Sequence, residues 1–532
     1  MSIYNRKTAM RNLIIAIVLC VALVAGIVAV ALNKYFSTNA LFSDQLFAQA
    51  IASSLGCHAC DIDQSMLDKF ESLVYYCDIS MTSDYKSTNA YPVVLLGYKD
   101  YTDKIISGDT EDYKPTEGKD YVAAICVLDD VADLSLFPNL RYLSAFDASN
   151  VYQMNYNAYI SSIYSQLYGS SGVSFDDVIK SMKLTGLKTL EPLKSLTKLE
   201  VLALEYTDIT SLKGLDSFEN LQSLDIVNTE LTSLEGIENC TKLETLIMGG
   251  LEISDLSALS GLTSLKTLDV SNNKLKDLTT VSELTNLEKL SIASNEIESL
   301  AGLEKLTSLK TLDLASNEKL ADISAIKNAA QLESLYISET KVTTLDALNG
   351  MIKLTTLEAS GCEITDISAL KTCTALTSLD ISENKITDIS AVEYLGKLTA
   401  FVANDNEIVD ISAINSLKEA TTINLSNNKI TEIVAAVKGL NKLTTLNLSN
   451  NEITSLKGLE DCWKVDEFKA TVTLTDNKIE SITFKGDDDK EVKYSDYYKN
   501  ASFTGLKVYD PKTDTSNTSD ASNTSTSSTA SK

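Results

Sequence analysis

The chain is predicted to fold as an α/β repeat solenoid, and three observations predict it. Leu199, Leu221, Leu243, Leu265, Leu287 and Leu309 open segments 22 residues apart. The series goes on at Leu332, Leu354, Leu376, Leu398, Ala420 and Leu443, with one extra residue before Leu332 and one before Leu443. Each segment reads L-x-x-L-x-L-x-x-N-x-I-x-x-L-x-x-L, as in "LTTLNLSNNEITSLKGL" from Leu443. In that copy Leu446 and Leu448, two apart, make a short strand with both leucines inward, and Ile453, Leu456 and Leu459 return the chain across the core. No copy can bury its leucines alone, so copies stack and their strands pair as a parallel sheet.

Taken from the N-terminus, residues 1–12 carry Arg6, Lys7 and Arg11, and residues 13–32, "LIIAIVLCVALVAGIVAVAL", form an uncharged run. Twenty such residues span roughly 30 Å as a helix, the thickness of a bilayer core. The positive flank predicts a signal-anchor helix with a short cytoplasmic N-terminus and the repeats outside. The competing reading is a signal peptide cleaved near Ala29–Ala31, which gives a secreted protein. Residues 37–74 read as a helical cap, since Leu46, Ala50 and Ile51 recur at helical spacing. Residues 75–120 are a Tyr-rich insertion, and 121–484 the repeats, interrupted by a second insertion at 146–183. There Tyr152, Tyr156, Ile160, Ile163 and Leu167 fall at helical steps, with Tyr159, Tyr164 and Tyr168 widening the stripe, so a helix with an aromatic face is predicted. Residues 485–510 close the last repeat with a hairpin that begins just before them, in "ITFKGDDDKEVKY" from Ile482, and 511–532 form a disordered Ser/Thr-rich tail.

The Asn column, Asn273, Asn295, Asn317, Asn384, Asn406, Asn428, Asn451 and Asn477, stands where each strand turns into the core. There an amide can satisfy backbone groups left unpaired by the turn. Thr207, Thr229, Thr340 and Cys362 can partly substitute, and Leu251 cannot. On these motifs the stretch from Tyr121 to Phe484 resembles the 22-residue leucine-rich repeats of bacterial internalins and SDS22-like proteins. The resemblance implies a curved horseshoe with its parallel sheet on the concave face, two short cap helices before the first repeat, and a role in adhesion or partner recognition. The sequence departs from internalins in having no LPXTG-like sorting signal and no immunoglobulin-like domain after the repeats.

Chemistry is sparse. A net charge of −27 argues against nucleic acid, which draws on clustered Lys and Arg. His58 is the one histidine, so Ser-His and Cys-His nucleophile pairs have no base unless it serves, and no phosphate loop or H-E-x-x-H is present. Cys240, Cys373 and Cys462 fall in a leucine column and read as core fillers. Cys57, Cys60 and Cys77 read as a local disulfide or as buried thiols rather than a metal or redox centre. No enzyme, cofactor or metal is predicted, and a small-molecule ligand is disfavoured.

A protein ligand is expected on the strand positions between the inward leucines. The central column includes Asp269, Asp313, Tyr336, Glu358 and Asp380, whose acids suit a basic partner or are solvated consensus residues. Tyr206, Val227 and Ile247 form an apolar diagonal beside Gly249, Gly250 and the Leu251 break, an arrangement that marks contact sites. Tyr152, Tyr156, Tyr159 and Tyr164 either join that surface or pack the insertion onto its own scaffold. An SDS22-like cytoplasmic adaptor and a scaffold that binds wall polysaccharide are the alternatives.

Overall fold

A computed structural model describes residues 41–42, 45–55, 57, 59–81, 88–107, 119, 121–125, 131–145, 187–205, 207–463, 467–485, 490–498 and 500–508. The membrane run at 13–32, His58, the tyrosine stripe of 146–183, Tyr206 and the tail lie outside the described residues. Among the described residues no helix is long and apolar enough to cross a membrane. The chain divides into two compact units, Met1–Asn295 and Glu296–Lys532.

In the first unit, helix α1 (Gln45–Leu55) buries Ala48, Ile51 and Ala52 along one stripe. Helix α2 (Gln64–Leu67) is a single turn, capped by Asp63, whose carboxylate accepts from the Met66 N–H at 3.1 Å and the Ser65 hydroxyl at 2.6 Å. The chain is then already in strand, so the helical cap expected over 37–74 does not form as a whole. β1 (Phe70–Met81) and β2 (Thr88–Tyr98) make a long antiparallel hairpin, followed by α3 (Lys99–Ser107), β3 (Tyr121–Ile125) and β4 (Tyr142–Ala145). The cause of the misreading is local. An irregularity between Phe70 and Ser72 shifts the strand's parity, so that Phe70 and Leu73 are both fully buried and their spacing imitates a helix.

The hairpin closes the repeat sheet. β1 runs parallel to β4, with Leu73 opposite Leu143, while β2 and then β3 continue outward antiparallel. Tyr121–Ile125 is therefore no repeat strand; the parallel series begins at β1. It proceeds through β5 (Val201–Leu204), β6 (Ser223–Asp225), β7 (Thr245–Ile247), β8 (Thr267–Asp269) and β9 (Lys289–Ser291). Arg141 pins the junction. Its Nε and Nη2 donate to both Glu200 carboxylate oxygens at 2.6 and 3.1 Å, and its Nη1 to Glu71 at 3.1 Å and to Asp103 of α3. One half-buried cation thus ties β1, α3 and the starts of β4 and β5.

The second unit stacks β10 (Thr311–Asp313), β11 (Ser334–Tyr336), β12 (Thr356–Glu358), β13 (Ser378–Asp380), β14 (Ala400–Val402), β15 (Thr422–Asn424), β16 (Thr445–Asn447) and β17 (Thr471–Thr473) in one parallel register. Return segments are short 3-10 turns such as Ser368–Thr372, and a one-turn α4 (Val434–Val437) in one repeat. In the repeat from Leu376, the side chains of Leu376, Leu379, Ile381, Ile386, Ile389, Val392 and Leu395 are all buried. Each is worth about 1.5–3 kcal/mol against exposure, which is what stacking secures.

The Asn column works as an amide ladder. The Asn384 Nδ2 group donates to the carbonyls of Ala359, Ser382 and Ile381 at 2.8, 2.9 and 3.1 Å, and its Oδ1 accepts from Ile364 N–H at 2.9 Å. Asn273, Asn295, Asn406, Asn428 and Asn451 repeat the scheme. Thr207 and Thr340 keep one bond of it, to Leu204 O and Ile337 O. Cys362 keeps another, its thiol 3.1 Å from Ile337 O. At the Leu251 break, Thr229 Oγ1 of the preceding repeat is buried without a hydrogen-bond partner.

β18 (Thr483–Lys485) and β19 (Glu491–Lys493) form an antiparallel hairpin, α5 (Tyr494–Tyr497) follows, and β20 (Ser502–Thr504) adds a last parallel strand to β17. The closure is aromatic: Trp463 stacks on Phe468 at 3.9 Å, with Tyr498 edge-on to both. The fully buried Tyr494 and Tyr498 hydroxyls donate to the carbonyls of Leu456 and Leu459, each at 2.8 Å, as a second bond beside the backbone N–H that each carbonyl accepts in the last 3-10 turn.

Candidate functional site

Each three-residue strand places its middle side chain inward and its flanking ones outward, so pairing in register lines up outward columns. In the first unit the N-terminal end of this face is covered. Ser72, Tyr142, Ser144 and Ala203 occupy outward positions yet are all buried. Part of the cover is α3: a Cβ on Gly97 would sit 2.1 Å from Ser72 Oγ and 2.3 Å from the Tyr101 ring, so only glycine admits that approach. From Asp225 onward the face opens, and Val227, Ile247 and Asp269 are half-buried. Two members of the apolar diagonal therefore stand at the edge of the covered zone, and the third, Tyr206, lies outside the described residues.

The two glycines beside the diagonal do not leave a bare patch. Gly249 is buried, and Gly250 has φ +73° with Asn228 Oδ1 lying 2.1 Å from where a Cβ would be. The neighbouring amide fills that place.

The central acids have a structural task. Asp225, Asp269 and Asp313 each accept from the N–H two residues on, at 3.1, 2.9 and 3.1 Å. Asp380 accepts from the Ser382 N–H at 2.9 Å and its hydroxyl at 2.6 Å. Asn424 and Asn447 do the same for Ser426 and Ser449. These side chains close the strand end, as short polar residues do in Asx turns. Tyr336 and Glu358, opposite each other on β11 and β12, do not: Ser360 N–H is held by the Ser338 hydroxyl at 3.1 Å instead. Glu358 is exposed, yet its carboxyl is pushed above the usual range, chiefly by lost hydration beside the neighbouring strands, then by Asp380 and Asp313. A cation placed over Tyr336 and Glu358 relieves that repulsion and meets an aromatic face.

Sequence reasoning identified Tyr336 and Glu358 as column members but could not separate them from strand-closing acids; the absence of Asp or Asn at those two positions is the signal. The column read from the sequence reached Asn424 of β15 and Asn447 of β16 but missed the outward residues of β17 and β20; the outward residues of these four strands are all Thr, Asn or Ser. β20 comes after a hairpin and carries no repeat motif, so its register was invisible.

Other chemistry is weak. Burial pushes the thiols of Cys240, Cys373 and Cys462 up to about 11, which leaves them protonated and unreactive at neutral pH. Among the described residues no three His, Cys, Asp or Glu side chains gather to hold a metal ion. A groove along the 3-10 turns contains Asp388 and Asp410, but each is tied to the backbone N–H of the serine two residues on.

A model of paired leucine-rich repeats matches residues 285–328, 352–394 and 421–461, and a model of the leucine-rich-repeat domain of the endo-beta-N-acetylglucosaminidase EndoS matches 199–295. Comparison with curated proteins gives no match. An internalin (InlF) of Listeria monocytogenes superposes with a TM-score of 0.55 at 25% identity, covering 76% of this chain and 94% of its own. A leucine-rich-repeat protein of Leptospira interrogans superposes with a TM-score of 0.52 at 26% identity, covering 58% of this chain and 82% of its own. The 22-residue register, the amide ladder, the repeat models and the fold shared with InlF make this chain a leucine-rich-repeat protein of the bacterial internalin type.

Proposed function

We propose that this chain is a membrane-anchored surface protein that holds its repeats outside the cell and binds a protein partner on the outward strand face, without catalysis. The observation that carries the reading is the Tyr336–Glu358 pair. At these adjacent positions the chain gives up its strand-closing Asp for side chains that hold none of its own backbone, and it keeps Glu358 electrostatically uncomfortable. A partner presenting Lys or Arg there gains a charge-assisted contact and a cation–π contact. Val227 and Ile247 offer a separate apolar contact in the first unit. Residues 13–32 supply the anchor.

Proximity labelling on intact cells, comparing the native chain with Tyr336→Ala/Glu358→Lys and with Ile247→Asp, tests the face. Loss of one labelled protein in the first variant is expected, and an unchanged labelling pattern in both discards it. Protease treatment of intact cells tests the topology, since protection of everything after residue 33 returns the adaptor reading. A second reading has its own observation: the outward positions of the last strands are uncharged hydroxyls and amides, suited to a neutral glycan. Recovery of glycan alone in a pull-down favours it.

A further inference from the structure

The sequence contains one Asn-Gly pair, Asn349–Gly350, the dipeptide in which a backbone nitrogen meets least steric hindrance on its way to a preceding side-chain amide. Both residues are exposed. They occupy the central positions of a type II turn: Asn349 has φ −60° and ψ 121°, Gly350 has φ +90°, and Met351 N–H donates to Leu348 O at 3.0 Å. Thr372, from the following repeat, reaches over this turn. Its Oγ1 accepts from Gly350 N–H at 2.7 Å and lies 3.3 Å from Asn349 Oδ1 and 3.2 Å from Ala369 O, to one of which it donates.

We infer that Asn349–Gly350 is a deamidation site held in check by Thr372. In the reaction the Gly350 nitrogen loses its proton and attacks Asn349 Cγ. A C–N bond forms, the side-chain amide C–N bond breaks, and ammonia leaves. Water then opens the succinimide at either carbonyl, giving aspartate or isoaspartate. The five-membered ring contains Gly350 N together with Asn349 C, Cα, Cβ and Cγ, so closure needs Gly350 N on the same side as Cβ. At ψ 121° it points away. Rotating it into place breaks the Met351–Leu348 bond, and attack also requires release of the N–H held by Thr372. The repeat that follows therefore acts as a brake on the chemistry of the one before.

The product adds a carboxylate and, as isoaspartate, one extra backbone carbon to the turn that leads into β12 and Glu358. The inference itself does not depend on the proposed recognition. The test incubates the full chain at neutral to mildly alkaline pH and follows the Asn349 peptide by mass spectrometry for a gain of about one dalton (amide to acid), with isoaspartate detected by enzymatic carboxyl methylation. Native chain, Thr372→Val, Thr372→Ser and native chain in urea are compared, with melting curves for each variant. The urea sample is expected to react fastest, Thr372→Val several-fold faster than native, and Thr372→Ser at the native rate. Equal rates for native and urea samples overturn the inference even if Thr372→Val fails to fold, and so does a folded Thr372→Val that reacts no faster than native.

Discussion

The two ends of the repeat series face one problem and solve it with different chemistry. A strand at the edge of a repeat sheet exposes unpaired backbone and an apolar core, and each must be closed. At the N-terminal end a hairpin turns the sheet antiparallel and one guanidinium, Arg141, gathers Glu71, Asp103 and Glu200 around the seam. At the C-terminal end the closure is a stack of rings, with two phenols donating into the last turn. Both ends bury apolar side chains, Phe70 against Tyr98 at the first and Trp463 against Phe468 at the second, but only the first adds a cluster of four charges, so a perturbation of charge should separate them.

The largest effect is expected from Tyr498→Ala, which removes a fully buried ring and a hydrogen bond to Leu459 O. About 3–5 kcal/mol should be lost from the C-terminal end, read as early hydrogen exchange in residues 467–508 while the N-terminal end keeps its protection. Next comes the ladder that both ends flank. Asn384→Leu should cost about 2–4 kcal/mol, because Ala359 O and the Ile364 N–H lose their partner, while Ile381 O and Ser382 O lose one of two and keep Asn406 Nδ2 and Gly361 N–H. The reverse change at the natural break, Leu251→Asn, should gain about 1 kcal/mol by supplying an amide near the unpaired Thr229 hydroxyl, and a fall in urea midpoint would show that the break is built differently. Arg141→Met should cost about 1–3 kcal/mol, since three carboxylates then converge without their cation. Added salt should weaken the native junction and leave the aromatic end unchanged.

The smallest effect has opposite signs at the two ends. Asp103 is held below the usual carboxylate range, first by Lys99 and then by Arg141. A depressed carboxyl contributes stability above its unfolded pKa, so that contribution fades as pH falls below about 4. Tyr494 and Tyr498 are pushed upward, chiefly by burial. A raised phenol contributes below its unfolded pKa, so that contribution fades as pH rises above about 10. Limited proteolysis should open the N-terminal end first in acid and the C-terminal end first in alkali; one end failing first at both extremes would refute the division.

How much of this could be read from the sequence depends on the range of the interactions. The strand–turn unit was legible because its signals recur every 22 residues: the inward leucines, the Asn column, its Thr and Cys substitutes and the Leu251 gap all sit where side chains meet their own or the next repeat. Cys240, Cys373 and Cys462 were legible for the same reason. The ends were not. A parity shift at Phe70 gave strand residues a helical spacing, and the partners of Arg141 lie 38 to 70 positions away with no repeat to announce them. On the candidate face, the sequence could place Asp380 and Glu358 in one column, but only hydrogen bonds separate an acid that closes its own strand from one that does not.

The amide ladder has a consequence for length. In its recurrent form, each Asn side chain reaches carbonyls 2, 3 and 25 positions back and receives an N–H from 20 positions back. Offsets that recur with the period make one repeat interchangeable with the next as far as the backbone is concerned. Removing Leu376–Lys397 would bring Asn406 to the place of Asn384, with an equivalent carbonyl or N–H waiting at every offset. The number of repeats is thus a quantity that duplication or excision can change without redesigning any bond, and the molecule's reach can vary by whole steps while its ends stay the same.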